Sequence, residues 1–255
     1  MALKVFITGA SSGIGLALAT EYARRGATLG LVARRVDALE AFAGQHPALA
    51  VSCYRADVRD PASLAEAARR FIAAHGLPDV VIANAGISKG VATGHGDLDA
   101  FREVMDINCF GMAATFEPFA AAMAEARRGT LVGIASIAGV RGLPGSGAYS
   151  ASKAAALTYL ESLRVEMRPF GVAVVTIAPG YIRTPMTAHN PYPMPFLMDV
   201  DRFARKVANA IDRKVRFAVF PWPMRIVALA LRMLPRALYD TLFEKAPRKP
   251  RQPES

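Results

Sequence analysis

The chain has 255 residues, of which 53% are hydrophobic and 20% are charged. This composition suits one large folded domain with a substantial core and excludes a disordered chain. The formal net charge of +10 is uneven, because residues 201–255 hold 13 Lys/Arg against 5 Asp/Glu, whereas residues 1–200 hold 18 against 16. A nucleic-acid-binding protein more often spreads its charge over a recognition face, so we expect no nucleic-acid partner.

Cysteine and histidine spacing argues against metal and disulfide scaffolds. Cys53 and Cys109 lie far apart and form no CxxC pair. The histidines also lack the HExxH or HxH spacing of metal ligands, and we expect no metal site; they are His46, His75, His95 and His189.

The chain also lacks the patterns of export and membrane insertion. It runs directly into a strand pattern rather than into a signal peptide. Its longest apolar candidate, at 226–231, is far below the ~20 residues of a membrane span. We therefore expect a cytoplasmic protein.

Apolar strand-like runs alternate with helical patterns from the first residues onward. Strands are predicted at 3–8, 28–33, 50–56, 79–83, 131–136 and 172–178. Helices are predicted at 14–25, 36–45, 61–74, 98–127 (as one or two helices) and 147–168, which ends before Pro169. The alternation predicts a single-domain, Rossmann-like α/β fold. We expect a doubly wound parallel sheet of about seven strands with helices on both faces.

A glycine-rich turn joins the first predicted strand to the first helix. Its sequence is Thr8-Gly9-Ala10-Ser11-Ser12-Gly13-Ile14-Gly15. The glycines allow a tight turn and close approach of the backbone to a pyrophosphate, and the helix N-terminus attracts phosphate. The spacing differs from GxGxxG, and a glycine-rich turn without a ligand is the alternative. The position between strand and helix favours nucleotide binding.

Two arginines follow the second strand, where NAD-binding sheets usually carry an acidic residue for the ribose 2′-hydroxyl. Arg34 and Arg35 replace that acid, and a guanidinium can pair with a 2′-phosphate. The alternative is that both side chains are simply solvated. The missing acid favours NADP (NADPH) as the cofactor.

Further candidate cofactor residues follow the third and fourth strands. Asp57 and Val58 could meet the adenine, and Asn84, Ala85 and Gly86 offer a small-residue path beside the cofactor. Asp and Gly are ordinary loop residues, so each signal is weak alone. Their positions at the carboxyl ends of successive strands, where ligands bind in open α/β sheets, strengthen them together.

Tyr149 and Lys153 are four residues apart at the start of a predicted helix and share one helix face. A phenol with a pKa near 10 is a poor acid–base group at neutral pH, and a nearby ammonium favours the phenolate. Ser136, which ends the preceding strand, could hold a substrate oxygen. A lone Tyr-x3-Lys is common in helices, so the combination with Ser136 and the glycine turn carries the inference.

These motifs resemble the short-chain dehydrogenase/reductase family over residues 3–190. The resemblance rests on Thr-Gly-x3-Gly-x-Gly at 8–15, Asn-Ala-Gly at 84–86, Tyr-x3-Lys at 149–153 and Pro-Gly at 179–180. It implies a catalytic set of Asn108, Ser136, Tyr149 and Lys153, in which Tyr149 protonates a carbonyl oxygen and Asn108 reaches Lys153 through water. It also implies cofactor contacts from Tyr149, Lys153, Pro179, Gly180, Ile182 and Thr184. One departure is Ala83, where many members have a second Asn.

Residues 185–200 are rich in Met, Pro and aromatic side chains. The family resemblance implies that this segment closes over the substrate, and its apolar character favours a lipophilic ketone or aldehyde. Packing of the same residues on the core is the alternative.

The last part of the chain extends beyond the resemblance, and we divide the chain into 1–220 and a C-terminal extension, 221–255. Arg225, Arg232 and Arg236 are expected on one stripe of a basic amphipathic helix within 222–245. Such a helix could contact the inner face of a membrane, line a subunit interface or border a substrate entrance. Residues 246–255 are expected to fray.

The sequence as a whole predicts an NADP-dependent oxidoreductase that moves a hydride between nicotinamide and a carbonyl or secondary alcohol. We expect a lipophilic small-molecule substrate and a homodimer or homotetramer. The alternative is a non-catalytic NADPH-binding sensor or a membrane-associated scaffold.

Overall fold

The computed structural model describes residues 2–188 and 190–251; Met1, His189 and residues 252–255 lie outside the described part. The strands are β1 (Lys4–Thr8), β2 (Thr28–Ala33), β3 (Val51–Arg55), β4 (Val80–Ala83), β5 (Thr130–Ile134), β6 (Ala173–Pro179), β7 (Ile182–Arg183), β8 (Met198–Asp199) and β9 (Phe217–Phe220). The α-helices are α1 (Gly13–Arg24), α2 (Asp37–Gly44), α3 (Pro61–His75), α4 (Leu98–Met105), α5 (Gly111–Glu125), α6 (Gly147–Met167), α7 (Val200–Asp212), α8 (Pro223–Met233) and α9 (Arg236–Phe243).

Seven of the described strands form one parallel sheet in the order β3-β2-β1-β4-β5-β6-β9. The strand order reverses between β1 and β4, which both pair in parallel with their neighbours. At such a switch point the loops after two adjacent strands turn to opposite faces and leave a crevice. The fold therefore places a ligand site above the carboxyl ends of β1 and β4.

Hydrophobic side chains fill both faces of the sheet because successive residues of a strand point to opposite sides. On β1, Val5 and Ile7 pack with α1, α2 and α7, whereas Phe6 packs with α3, α5 and α6. The two resulting cores confirm the predicted doubly wound α/β fold with helices on both faces.

Sequence analysis did not locate the two-residue strands β7 and β8, the edge strand β9 or the helix α7. The strand β9 has only four residues, follows a basic stretch and leaves Phe217 half exposed at the sheet edge, so its pattern is weak. The helix α7 has an apolar face against α1, with Phe203, Val207 and Ile211 buried.

The predicted helical segment 98–127 consists of two α-helices joined by a π-helical turn, Asp106–Phe110. Such a turn adds one residue to the local repeat and is common at functional sites. Here it carries the buried Asn108.

The prediction of one continuous tail helix is wrong. Leu234 is extended and Pro235 follows it, so α8 ends at Met233 and α9 begins at Arg236. A proline disfavours helical conformation at the preceding residue. Arg236 therefore lies on a different helix from Arg225 and Arg232.

The expectation of a frayed terminus is also wrong for residues 246–251. Arg251 forms an ion pair with Asp97 at 2.6 Å, and Lys249 donates a hydrogen bond to Ser88 Oγ at 2.8 Å. These contacts fasten the tail to the β4–α4 loop; the remainder of the expected frayed segment, 252–255, lies outside the described residues.

Across the described chain, none of the helices is both long and apolar enough to cross a bilayer. The boundary at residue 220 falls between β9 and α8, and the division of the chain there stays a prediction.

Candidate active site

A cleft of about 670 Å³ opens above the carboxyl ends of the parallel strands. Predicted residues from the carboxyl ends of several strands and from the helix α6 line it: Gly9, Ser11, Ser12, Gly13, Ile14, Arg34, Arg35, Asp57, Val58, Asn84, Ala85, Gly86, Ser136, Tyr149, Lys153, Pro179, Gly180, Ile182 and Thr184. Gly15 and Asn108 do not line the cleft and act from behind it. The topology thus gathers into one crevice residues that are more than 150 positions apart.

Apolar residues at the strand ends, in the loop after β4 and in the π-helical turn also line the cleft, and sequence analysis did not single them out. They are Val32, Ala33, Ala56, Ile87, Ile107, Ile134 and Ala135. Nothing in their residue type separates them from core positions. From the predicted substrate segment 185–200, the described cleft is lined by Pro185, Met186 and Thr187.

The glycine turn holds the N-terminus of α1 open toward the cleft. Gly9 has φ +69°, and a Cβ there would lie 2.7 Å from Ala85 Cα, so only glycine fits. A Cβ at Gly15 would lie 2.2 Å from Gly9 O, which explains how α1 packs so close to the turn.

The first turn of α1 is suited to an anion. Ser12 is the N-cap, but its side chain makes no capping hydrogen bond within the described chain, and the first turn has no acidic residue. The unpaired N–H groups and the positive helix end are therefore available to phosphate oxygens. These residues fit the pyrophosphate of a dinucleotide.

Asn84 stabilises the glycine turn rather than merely leaving room beside it. Its Nδ2 donates to Thr8 O and Gly9 O, both at 3.1 Å, and its backbone N–H donates to Thr8 Oγ1 at 3.3 Å. These bonds tie the β4 end to the β1 end across the switch point.

Arg34 and Arg35 are exposed at the cleft and have no ion-pair partner within residues 2–188 and 190–251. Nearby, Arg59 Nη2 donates a hydrogen bond to the carboxylate oxygen Oδ2 of Asp57 at 2.6 Å. This hydrogen bonding lowers the pKa of Asp57, and the charge of Arg34 lowers it further. The adenine end of the cleft therefore carries unneutralised positive charge.

Tyr149, Ser136 and Lys153 meet at the opposite end of the cleft. Lys153 Nζ lies 5.9 Å from the centre of the Tyr149 ring and donates a hydrogen bond to Ile134 O at 2.8 Å. Ser136 Oγ accepts from Ala138 N at 3.1 Å, which fixes the hydroxyl while leaving its proton available to donate.

Burial controls the proton affinities here. It lowers the pKa of Lys153 to about 8, whereas the nearby Cys109 acts in the opposite direction. Burial also raises the pKa of Tyr149, and Ser136 opposes this rise. The predicted lowering of the Tyr149 pKa is therefore not found, because the loss of solvation on burial has the largest effect on this phenol.

Asn108 links the π-helical turn to the catalytic end. Its Oδ1 accepts from Ile87 N at 2.8 Å, while its Nδ2 donates to Ile87 O at 2.9 Å and to Ser152 Oγ at 3.0 Å. A Cβ at Gly86 would lie 3.2 Å from Asn108 Oδ1 and 3.6 Å from Lys153 Nζ. The missing side chain at Gly86 keeps open the space between these two groups.

Metal-ligand clusters are absent from the described residues, where no three His, Cys, Asp or Glu side chains converge. His189 lies outside the described part of the chain.

Residues 3–193 match the family model described as short chain dehydrogenase. The chain belongs to the short-chain dehydrogenase/reductase family. An uncharacterized oxidoreductase of Myxococcus xanthus (strain DK1622) is 38% identical over 236 residues, covering 92% of this chain and 93% of that protein. Together with the sheet and cleft, this similarity shows an oxidoreductase of the short-chain dehydrogenase/reductase family.

Solved short-chain dehydrogenase/reductase structures agree with the fold. A short-chain dehydrogenase from Burkholderia cenocepacia J2315 in complex with NADP has a TM-score of 0.82 and 27% identity, and the match covers 94% of this chain and 97% of that one. A family member from Burkholderia phymatum in complex with NAD also has a TM-score of 0.82, with coverages of 100% and 98%; its 22% identity shows the shared fold alone.

Proposed function

We propose that this chain is an NADP-dependent oxidoreductase that transfers a hydride between nicotinamide and a carbonyl or secondary alcohol, working as a reductase of a lipophilic ketone or aldehyde. The observation that carries the proposal is one cleft with a helix N-terminus suited to an anion, two exposed arginines, and the Ser136, Tyr149 and Lys153 side chains. Cofactor and proton donor are thereby brought to one substrate.

Tyr149 is the proposed proton donor and acceptor. Burial keeps its phenol protonated, which suits donation to a carbonyl oxygen as negative charge develops there. Ser136 donates a hydrogen bond to the same oxygen and fixes its position. NADPH, when bound, supplies the hydride.

Lys153 has two proposed tasks that follow from its burial and its anchor. The hydrogen bond to Ile134 O aims the ammonium at the cleft floor, where it can hold the cofactor ribose. With a pKa of about 8, Lys153 can also pass a proton at physiological pH. Asn108 positions the loop at Ile87. It also forms the next step of the proposed proton path from Lys153, which it reaches through water.

The preference for NADP rests on Arg34 and Arg35. Both side chains border the cleft without a carboxylate partner in the described chain, and the second strand end offers no acid for a ribose 2′-hydroxyl. A 2′-phosphate would supply the missing negative charge. The Burkholderia cenocepacia neighbour in complex with NADP supports this assignment.

Aromatic and apolar side chains favour a lipophilic substrate. The Tyr181 and Tyr192 ring centres are 6.4 Å apart, and Tyr181 lies between Gly180 and Ile182, which both line the cleft. Met186 borders the cleft. Cytoplasmic location and assembly as a homodimer or homotetramer stay predictions.

The deciding experiment measures NADPH oxidation over ketones and aldehydes graded by chain length and ring number, with wild type and Tyr149→Phe. The variant is expected to lose reduction, by a factor of at least about 100, while binding NADPH with an unchanged Kd. Full activity of the variant would remove the proton-transfer role. Cofactor binding without turnover of any carbonyl would instead favour a non-catalytic NADPH sensor.

A further inference from the structure

The helix α8 is apolar on its solvent face as well as on its buried face. Met224 and Ala228 pack against the protein. The opposite face exposes four large side chains at spacings of four, three and four residues, which form one stripe. These are Trp222 (71% exposed), Ile226 (60%), Leu229 (61%) and Met233 (75%), which we call the α8 stripe.

Positive charge accompanies the α8 stripe. Arg225 and Arg232 are the charged residues of α8; they are exposed, seven positions apart, and border the stripe on the same side. The next helix, α9, exposes Leu238 and Leu242 one turn apart. Over residues 221–251 the sequence has seven Lys/Arg and two Asp/Glu.

This combination favours an anionic lipid surface over a second copy of the chain. In a two-fold symmetric contact the same patch meets itself, and when the two α8 helices are antiparallel the arginine borders of both copies come together with like charge. An anionic bilayer accepts the apolar side chains at its acyl boundary and offers phosphate groups to the guanidinium groups. An indole at the end of the stripe is also suited to the membrane interface.

The buried side of α8 packs behind the substrate end of the cleft. Met224 packs with Ala178 and Val219, and Ile137 and Tyr181 pack against this cluster. Ile137 directly follows Ser136, and a Cβ at Gly180 would lie 2.7 Å from Met224 Cγ. One helix therefore borders the substrate end on one side and presents the α8 stripe on the other.

We propose that the α8 stripe docks this enzyme onto anionic lipid bilayers and places the substrate end of the cleft beside the membrane. Lipophilic carbonyl compounds would then reach Tyr149 from the bilayer. The docking stands independently of the reaction, whereas the delivery of substrate rests on the proposed function.

The single tryptophan of the chain reports docking directly. Trp222 emission is measured while vesicles of phosphatidylcholine alone, or of phosphatidylcholine with phosphatidylglycerol, are added to the full chain. We expect a blue shift and quenching by brominated acyl chains with the anionic vesicles, and at least about tenfold weaker binding to the neutral ones. Absence of a shift with both vesicle types would overturn the proposal.

Two double variants separate the contributions of apolar surface area and of positive charge to vesicle binding. Ile226→Gln with Leu229→Gln, and Arg225→Gln with Arg232→Gln, are each expected to weaken anionic vesicle binding by about tenfold or more. Leu98→Gln is the matched control, since Leu98 is 81% exposed on α4, and it should change nothing. An equal loss in the control would overturn the proposal.

Sedimentation tests the competing partner. If a second copy covers the α8 stripe, the protein without lipid forms dimers that Ile226→Gln with Leu229→Gln dissociates, and this result would overturn lipid docking. A monodisperse species unaffected by the variant supports it.

A kinetic comparison tests substrate delivery. The double glutamine variant is expected to slow turnover of a vesicle-embedded ketone several-fold while leaving turnover of a water-soluble ketone unchanged. Equal effects on both ketones would refute delivery from the membrane. Vesicle binding without any carbonyl reduction would refute the proposed reaction and leave the docking intact.

Discussion

The side-chain amide of Asn108 forms two hydrogen bonds with the backbone of Ile87, accepting from its N–H at 2.8 Å and donating to its carbonyl oxygen at 2.9 Å. The amide thereby substitutes for a strand partner at a point where β4 has already ended. A third bond, to Ser152 Oγ, joins this loop to the helix that carries Tyr149 and Lys153. Loop and catalytic helix are held in register by one buried side chain.

Asn108→Ala is expected to reduce stability and turnover together. Loss of the amide leaves the partly buried N–H and C=O groups of Ile87 without their side-chain partner, which costs about 2 kcal/mol of unfolding free energy. Because Asn108 positions rather than contacts substrate, kcat should fall more than KM rises. Urea unfolding and steady-state kinetics check both points. Asn108→Asp, which keeps an acceptor for Ile87 N, should recover part of the stability, and no recovery would argue against the backbone role.

The lowered pKa of Lys153 predicts a pH dependence of stability. A lysine with a pKa of about 8 in the folded protein and an ordinary value when unfolded binds fewer protons in the fold between those pH values. The penalty for burying the charge is therefore present below pH 8 and is relieved as the pH rises. Relative to Lys153→Met, the wild type should gain about 1 kcal/mol in unfolding free energy between pH 8 and pH 9.

Chemical unfolding of the ligand-free protein at pH 7, 8 and 9 measures this difference. Lys206→Met is the control, because Lys206 is exposed on α7. If the unfolding free energies of the wild type and Lys153→Met change in parallel with pH, the proposed lowering of the Lys153 pKa by burial is contradicted.

Arg34→Ala is expected to discriminate between the two nicotinamide cofactors. Loss of a charge-assisted contact to the 2′-phosphate should weaken the binding of NADPH by about 10- to 100-fold and leave the binding of NADH nearly unchanged. Isothermal titration with both cofactors gives the two Kd values, and Arg35→Ala tests the neighbouring guanidinium in the same way. Arg205→Ala, an exposed arginine on α7, is the control. Equal losses of affinity for NADPH and NADH would contradict the proposed role of Arg34 in binding the 2′-phosphate of NADP.

The Arg251–Asp97 contact is expected to keep the C-terminal tail docked down to acidic pH. Arg251 and the Ala92 N–H lower the pKa of Asp97 to about 2, so its contribution is present above the ordinary carboxyl pKa and is lost as the pH falls through about 2. Arg251→Ala should therefore speed amide exchange of residues 248–251 at pH 5, as measured by mass spectrometry. Arg236→Ala on α9 is the control, and unchanged exchange in Arg251→Ala would show that the ion pair is dispensable.

Sequence patterns located six of the seven sheet strands because those strands are continuous apolar runs between helical patterns. The strand β9 lacked this signal: it has four residues at a sheet edge. The glycine turn, Arg34 and the Tyr149–Lys153 pair were found because each needs a particular residue type at a particular place along the chain.

Other features depend on contacts that spacing alone does not encode. The hydrogen bonds of Asn84 to the glycine turn join its side chain to backbone carbonyl oxygens some 75 residues earlier in the chain. The end of α8 at Met233 could have been inferred from Pro235, but the charge spacing of Arg225, Arg232 and Arg236 outweighed that signal. The burial that raises the pKa of Tyr149 and the hydrogen bond from Lys153 to Ile134 O both arise from packing that no sequence pattern reveals.

The docked tail has a consequence for the two loops beneath it. Residues 248–251 lie against the loops at 88–97 and 145. A Cβ at Gly90 would lie 2.2 Å from Pro250 O, and a Cβ at Gly145 would lie 2.7 Å from Arg248 Cβ. Any side chain at either glycine would therefore displace the tail, so these two positions admit only glycine for as long as the tail is docked.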